Sequence, residues 1–184
     1  MNLQELRSQI PDEAKDLRLN LESVLSEPGA PGLNKNQIAA IAYASAVASR
    51  FSPLTRALQA HAAESLSEAE LAGVRTSAAL MSMTNVYYRF THLVSNPEYA
   101  TLRAGLRMNG MANPGIDKGS FELCSLAVSA INGCGMCMDS HEKVLQQHGI
   151  TAQGIQSAVR IAAVVHAVAV TLEQRTVAAL AQVA

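Results

Sequence analysis

The apolar half of this chain is carried by alanine, leucine and valine, with only four tyrosines, three phenylalanines and no tryptophan. Alanine and leucine are strong helix formers, and small side chains let helices approach closely. No segment alternates apolar and polar residues as a half-buried strand does. The expected fold is all-α, a compact helical bundle in one domain over residues 1–184.

Breaks and caps divide the sequence into helices. Pro11-Asp12-Glu13 opens a helix to about Ser26, with acidic residues in its first turn. The run from Pro28 to Gly32 stops the chain, and Asn34 caps a helix to about Arg50. Pro53 suits the first turn of another. Ser67 and Glu70 form a capping box before a long helix to about Val94. Asn96-Pro97 and Asn113-Pro114-Gly115 are turns. Asp117 caps a helix through Ile131, Asn132-Gly133 ends it, and the next runs from Gly133 or Cys134 to near Gly149. Thr151 opens the last, past Leu172. A shift of 49 residues superposes His92 on His141 and Ala78 on Ala127, an echo that suggests a degenerate helical repeat.

A net charge of −1 with dispersed charges offers no basic stripe for nucleic acid or for an anionic membrane. The polar segment Met1–Arg7 lacks a signal-peptide core, and the apolar stretch Ile161–Leu172 is shorter than the roughly 20 residues of a membrane span. These features place the chain in the cytoplasm. In a reducing compartment three cysteines are not a disulfide scaffold, and a close pair points to catalysis or metal binding.

The chemistry concentrates between Glu122 and His141. Cys134, Cys137 and His141 are spaced i, i+3, i+7, on one face of a helix that starts near Cys134. A thiol at a helix N-terminus faces free N–H groups that favour thiolate. If the two helices fold back about Asn132-Gly133, Glu122 comes level with His141. A carboxylate beside an imidazole fixes its tautomer and raises its basicity, and such a ring can deprotonate a thiol one turn away. By the helix dipole Cys134 is the more acidic thiol; by proximity to His141 it is Cys137.

Blander readings apply to the same residues. The cysteine pair with His141 and Cys124 fits a zinc site, and a redox-responsive interaction module would use the same disulfide. Cys124, two residues from Glu122, points away from it and reads as a small core residue. His166 reads as a satisfied core histidine. His61, His92 and His148 read as surface or helix-end residues. Met81, Met83, Met108 and Met111 read as packing.

The pattern Glu122-x11-Cys134-x-x-Cys137-x3-His141 resembles that of the alkyl hydroperoxidase D family, within the wider group of carboxymuconolactone decarboxylases. The likeness extends to Ala14-Lys15-Asp16, to Met83 through Phe90, to Leu106 through Asn109, to Ala112 through Gly115 and to Ser129 through Cys134, about residues 3–172 in all. The resemblance implies an all-helical subunit with its site on a central helix hairpin, assembled as a trimer or a multiple of one. It implies an alkyl hydroperoxide reductase in which Cys137 is the peroxidatic thiol, Cys134 the more exposed resolving thiol, and Glu122 with His141 the proton relay. The Cys134–Cys137 disulfide would be reopened by a dihydrolipoyl group on an acyltransferase, itself recharged by dihydrolipoamide dehydrogenase, with no cofactor or metal held in the chain. One departure stands out: Met136 occupies the place where well-known members carry a histidine.

Overall fold

Four of the helices begin at a side chain that satisfies one of their otherwise free N–H groups. In the computed structural model, which describes residues 2–181 and side chains to residue 177, Asn34 Oδ1 accepts from the Gln37 N–H and Gln37 Oε1 from the Asn34 N–H, each at 3.0 Å. Ser67 and Glu70 make the same reciprocal pair. Asp117 Oδ1 receives the Ser120 N–H at 3.1 Å, and Thr151 Oγ1 receives that of Gly154 at 3.2 Å. All four starts match the expectation.

Among the described residues the chain forms α1 (Leu3–Ser8), α2 (Lys15–Val24), α3 (Lys35–Ser49), α4 (Ser52–Ala62), α5 (Glu68–Leu93), α6 (Glu98–Thr101), α7 (Lys118–Ile131), α8 (Gly135–Gln147) and α9 (Ala152–Ala181), with no strand. The bundle is all-α, as read from the sequence. Three details differ. The helix expected from Pro11 opens as a single 3-10 turn, Asp12–Ala14, before α2. Helix α1 was not expected; a capping box of Asn2 with Glu5 starts it, and the fully buried Leu6 anchors it. Finally, α9 is long and apolar enough to cross a bilayer by length and composition alone, with a mean hydropathy of 1.7 over an 18-residue window within Ala152–Val177. Its inner face is buried against α2, α3 and α7, which is the role of a core helix.

The internal repeat is real, but its offset is 83 residues. Helix α3, a tight corner, α4 and α5 recur as α7, a tight corner, α8 and α9. Arg50 sits at the first corner with φ 63° and Gly133 at the second with φ 67°, both left-handed. One more residue separates the last pair, so α5 maps onto α9 at 84. Val74, Ala78, Met81, Thr84 and Asn85 are buried on α5, as are Ala158, Ala162, Val165, Val168 and Ala169 on α9. The offset of 49 is therefore overturned: His92 does not correspond to His141, whose counterpart is the buried Leu58.

The two repeats interlock. Helices α3 and α7 lie against each other at the centre, and α5 and α9 each pack on both of them, so each half's last helix helps to shield the other half's first. Ten of the fifteen residues of α3 and eleven of the fourteen of α7 are buried, most of them alanine, serine or medium aliphatics. Small residues permit that close central contact. The α7–α8 corner thus lies on rigid, buried helices.

Gly32, at φ 84°, carries the Pro28–Gly32 turn over the start of α9, where a Cβ on Gly154 would stand 2.8 Å from the Gly32 carbonyl oxygen. Because the obstacle is backbone, Gly154→Ala is expected to cost about 1–3 kcal/mol through overpacking. Thermal or urea denaturation checks this, and an unchanged midpoint refutes the close approach.

Candidate active site

Helix α7 ends in a Schellman motif that delivers the first cysteine. The Gly133 N–H donates to the Ala130 carbonyl at 3.2 Å and the Cys134 N–H to the Ser129 carbonyl at 3.0 Å. Cys134 is then the N-cap of α8, its side chain making no capping hydrogen bond, and Cys137 lies in the first turn. A disulfide joins Cys134 and Cys137, whose Cα atoms are 5.3 Å apart. The free N–H groups of the first turn of α8 favour a thiolate there once the bond opens.

The same corner brings α8 back antiparallel to α7, and the Glu122–His141 contact follows. His141 Nδ1 lies 2.6 Å from Glu122 Oε2, with both side chains buried. The other carboxylate oxygen, Oε1, takes Lys118 Nζ at 2.8 Å. Burial pushes the Glu122 carboxyl up, but the hydrogen bonds from His141 and Lys118 outweigh it and hold the group below its ordinary value of 4.5. An ionised Glu122 accepts at Oε2, so Nδ1 carries a proton and Nε2 is the nitrogen left for proton exchange. Nε2 faces Met81 Sδ at 3.1 Å. A thioether is only a weak acceptor, so it leaves Nε2 available.

His141 and Cys137 open onto one pocket of about 250 Å³, whose other lining residues are Met81, Thr84, Tyr88, Met108, Met111, Met136 and Ser140. Thus all four expected site residues converge, but the expected exposure of the cysteines is reversed. Cys134 is 0% exposed and Cys137 6%. The reason is geometric: Cys134 is turned under the corner by its N–H bond to Ser129, whereas Cys137 faces the pocket from α8.

Other readings are also corrected. Met81, Met108 and Met111 read as packing in the sequence, yet all three line the pocket, and Met81 touches the imidazole. Met136, in the place of the family's histidine, is 40% exposed at the mouth. His166 is exposed rather than in the core, with Nδ1 3.3 Å from Ser49 Oγ. Cys124 is buried in the core as expected, where burial pushes its thiol far above the ordinary range. It cannot complete a zinc site with the pair. Among the described residues no group of three or more His, Cys, Asp or Glu is placed to hold a metal ion. Lys118 escaped notice although the sequence signalled it, as an opposite charge at i,i+4 from Glu122.

A helix corner that holds a disulfide beside a buried Glu–His pair defines a helical thiol–disulfide centre. Residues 97–181 match the carboxymuconolactone decarboxylase family. Over nearly the whole chain, similar proteins are named alkyl hydroperoxide reductase AhpD. The one from Bradyrhizobium sp. (strain BTAi1) is 53% identical over 96% of each chain. Those from Rhodopseudomonas palustris (strain BisA53) and Streptomyces griseus are 53% and 51% identical, over 94% of each chain and over 97% and 99% respectively. The chain belongs to the alkyl hydroperoxide reductase AhpD family.

Glu122→Gln is expected to keep the helical content and to lower peroxide turnover on the order of 100-fold, because the ring loses its ionised partner. An unchanged rate removes Glu122 from the relay. The carboxyl's folded value is depressed, so its contribution to stability is present above the unfolded value and is lost as pH falls through the folded one. The stability difference between wild type and Glu122→Gln should therefore shrink below about pH 4.5, measured by denaturation across pH.

Proposed function

We propose that this protein is a thiol-dependent peroxidase that reduces alkyl hydroperoxides and hydrogen peroxide by cycling the Cys134–Cys137 disulfide. The observation that carries the reading is the joining of the two sulfurs at a corner where Cys137 shares a pocket with His141, itself paired to Glu122. The names of the relatives support the substrate class. The pocket's methionine and tyrosine side chains suit an organic hydroperoxide tail.

In the reduced protein His141 Nε2 takes the Cys137 proton, directly or through water. The thiolate attacks the distal oxygen of ROOH, the O–O bond breaks, and Cys137 becomes a sulfenic acid while the alkoxide takes the proton back as ROH. The Cys134 thiol then displaces water from Cys137–SOH and forms the disulfide. A dithiol reopens it by way of a mixed disulfide, donating two electrons and two protons and leaving as its own cyclic disulfide. Cys137 lines the pocket and Cys134 does not, which favours a first attack at Cys137 in place of the Cys134 expected from the family resemblance.

The proposed donor is a dihydrolipoyl group carried on an acyltransferase and recharged by dihydrolipoamide dehydrogenase, in the cytoplasm; this chain's own residues supply the remaining chemistry. The proposed assembly is a homotrimer or a multiple of it. The exposed Val86, Phe90, Leu93 and Leu102, at the far end of α5 and just beyond it, support self-association.

With dihydrolipoamide as reductant, the metal-free protein is expected to consume cumene hydroperoxide. Cys137→Ser should bring turnover to background, and Cys134→Ser should allow one oxidation without recycling. Full activity in both variants sinks the mechanism. Stoichiometric zinc in the untagged protein, with no turnover, would point to a metal-binding role instead.

A further inference from the structure

The repeat provides a control within the molecule for the α7–α8 corner. Both halves build the same helix, corner and helix, but the side chains behind the two corners differ in kind. Behind the first stand Ala46 on α3 and Val165 and Ala169 on α9, all buried and apolar. The contact of His166 with Ser49 places that part of α9 beside this corner. The equivalent positions behind the second corner are Ser129, Met81 and Asn85, also buried. The first corner is held by a part-buried hydroxyl of its own half, Thr55 Oγ1 donating to the Ala46 carbonyl at 3.1 Å, and among the described residues it takes no amide from α9, whereas a buried amide carries a desolvation cost that only full pairing offsets.

Asn85 is fully paired. Its Nδ2 donates to Ser129 Oγ at 2.9 Å, and its Oδ1 accepts from Asn132 Nδ2 at 3.0 Å. One turn further along α5, Arg89 Nη1 donates to the Asn132 carbonyl at 2.5 Å. Ser129 is the residue whose carbonyl receives the Cys134 N–H, and Asn132 precedes the left-handed Gly133. Helix α5 thus grips both residues that fix where Cys134 emerges. Asn85 does not line the pocket, so its role is exercised through the backbone of the corner.

We propose that Asn85, assisted by Arg89, is a positioning residue for the redox pair: by clamping Ser129 and Asn132 it holds Cys134 against Cys137 and raises the effective concentration of one sulfur at the other. The proposal rests on the pair being redox-active, and it is tested by a measurement that needs no peroxide. Reduced dithiothreitol passes two electrons and two protons to the disulfide, giving two protein thiols and cyclic oxidised dithiothreitol. The equilibrium constant of that exchange is read by thiol trapping over a series of dithiothreitol ratios.

Asn85→Ala and Asn132→Ala are each expected to move the equilibrium towards the dithiol by about fivefold or more. The double variant should move it no further than the larger single change, since both remove one shared contact. Helicity by circular dichroism accompanies each measurement. Asn132 is only half-buried, so its variant tests the clamp even if Asn85→Ala does not fold. Folded variants whose constants stay within about twofold of wild type, or two effects that simply add, overturn the proposal. If the wild-type pair does not exchange with dithiothreitol at all, it is the redox reading that fails, and the clamp falls with it.

Discussion

The burial of one carboxylate organises the site. Glu122 lies on a central helix from which water is nearly excluded, and a buried charge persists only when it is paired and hydrogen-bonded. Lys118, one turn back on the same helix, answers one oxygen. The other requires a cation or donor from outside α7, and His141 provides it. For His141 to arrive at that level, α8 must return antiparallel through a corner of minimal length. The same corner then sets Cys134 at the mouth of α8 and Cys137 one turn inside it. Charge compensation and sulfur placement are two results of one backbone path.

The first half of the chain shows what that path looks like without the chemistry. At the positions of Glu122, Cys134, Cys137 and His141 it carries Ala39, Phe51, Leu54 and Leu58, of which all but the half-buried Phe51 are buried. These apolar side chains meet the packing requirement of the fold and nothing more. Both corners are left-handed, yet Arg50 supports the first where Gly133 supports the second. The architecture therefore accommodates both a reactive and an unreactive corner, and the redox pair occupies one of two equivalent places.

Much of this was legible in the sequence because the signals were local. Asn34, Ser67, Asp117 and Thr151 cap helices through bonds spanning three residues, and the spacing of Cys134, Cys137 and His141 speaks for itself on a helix. Even the Glu122–His141 contact was within reach, since only a short corner lies between. What escaped depended on distant partners. Asn85 meets Ser129 and Asn132 more than forty positions away, and Met81 meets His141 at sixty. Met108 and Met111 sit in an irregular segment where no periodicity marks a face. The repeat was hidden because α3 and α4 share with α7 and α8 little beyond Lys35 with Lys118 and Ala44 with Ala127; burial pattern was preserved where identity was not. Helix α1 is too short and polar to announce itself, and it exists because Leu6 finds a buried seat.

The crossed arrangement of the two halves has a consequence for how the polypeptide can acquire its shape. Helix α3 is sheathed by α9, which follows all the other described helices in the chain. A nascent chain that has reached only α6 already holds a complete first copy of the motif, but its central helix still presents a bare apolar flank. Assembly must therefore wait for α9. Truncation anywhere before α9 would leave an oily surface on both copies, not one intact half beside one damaged half.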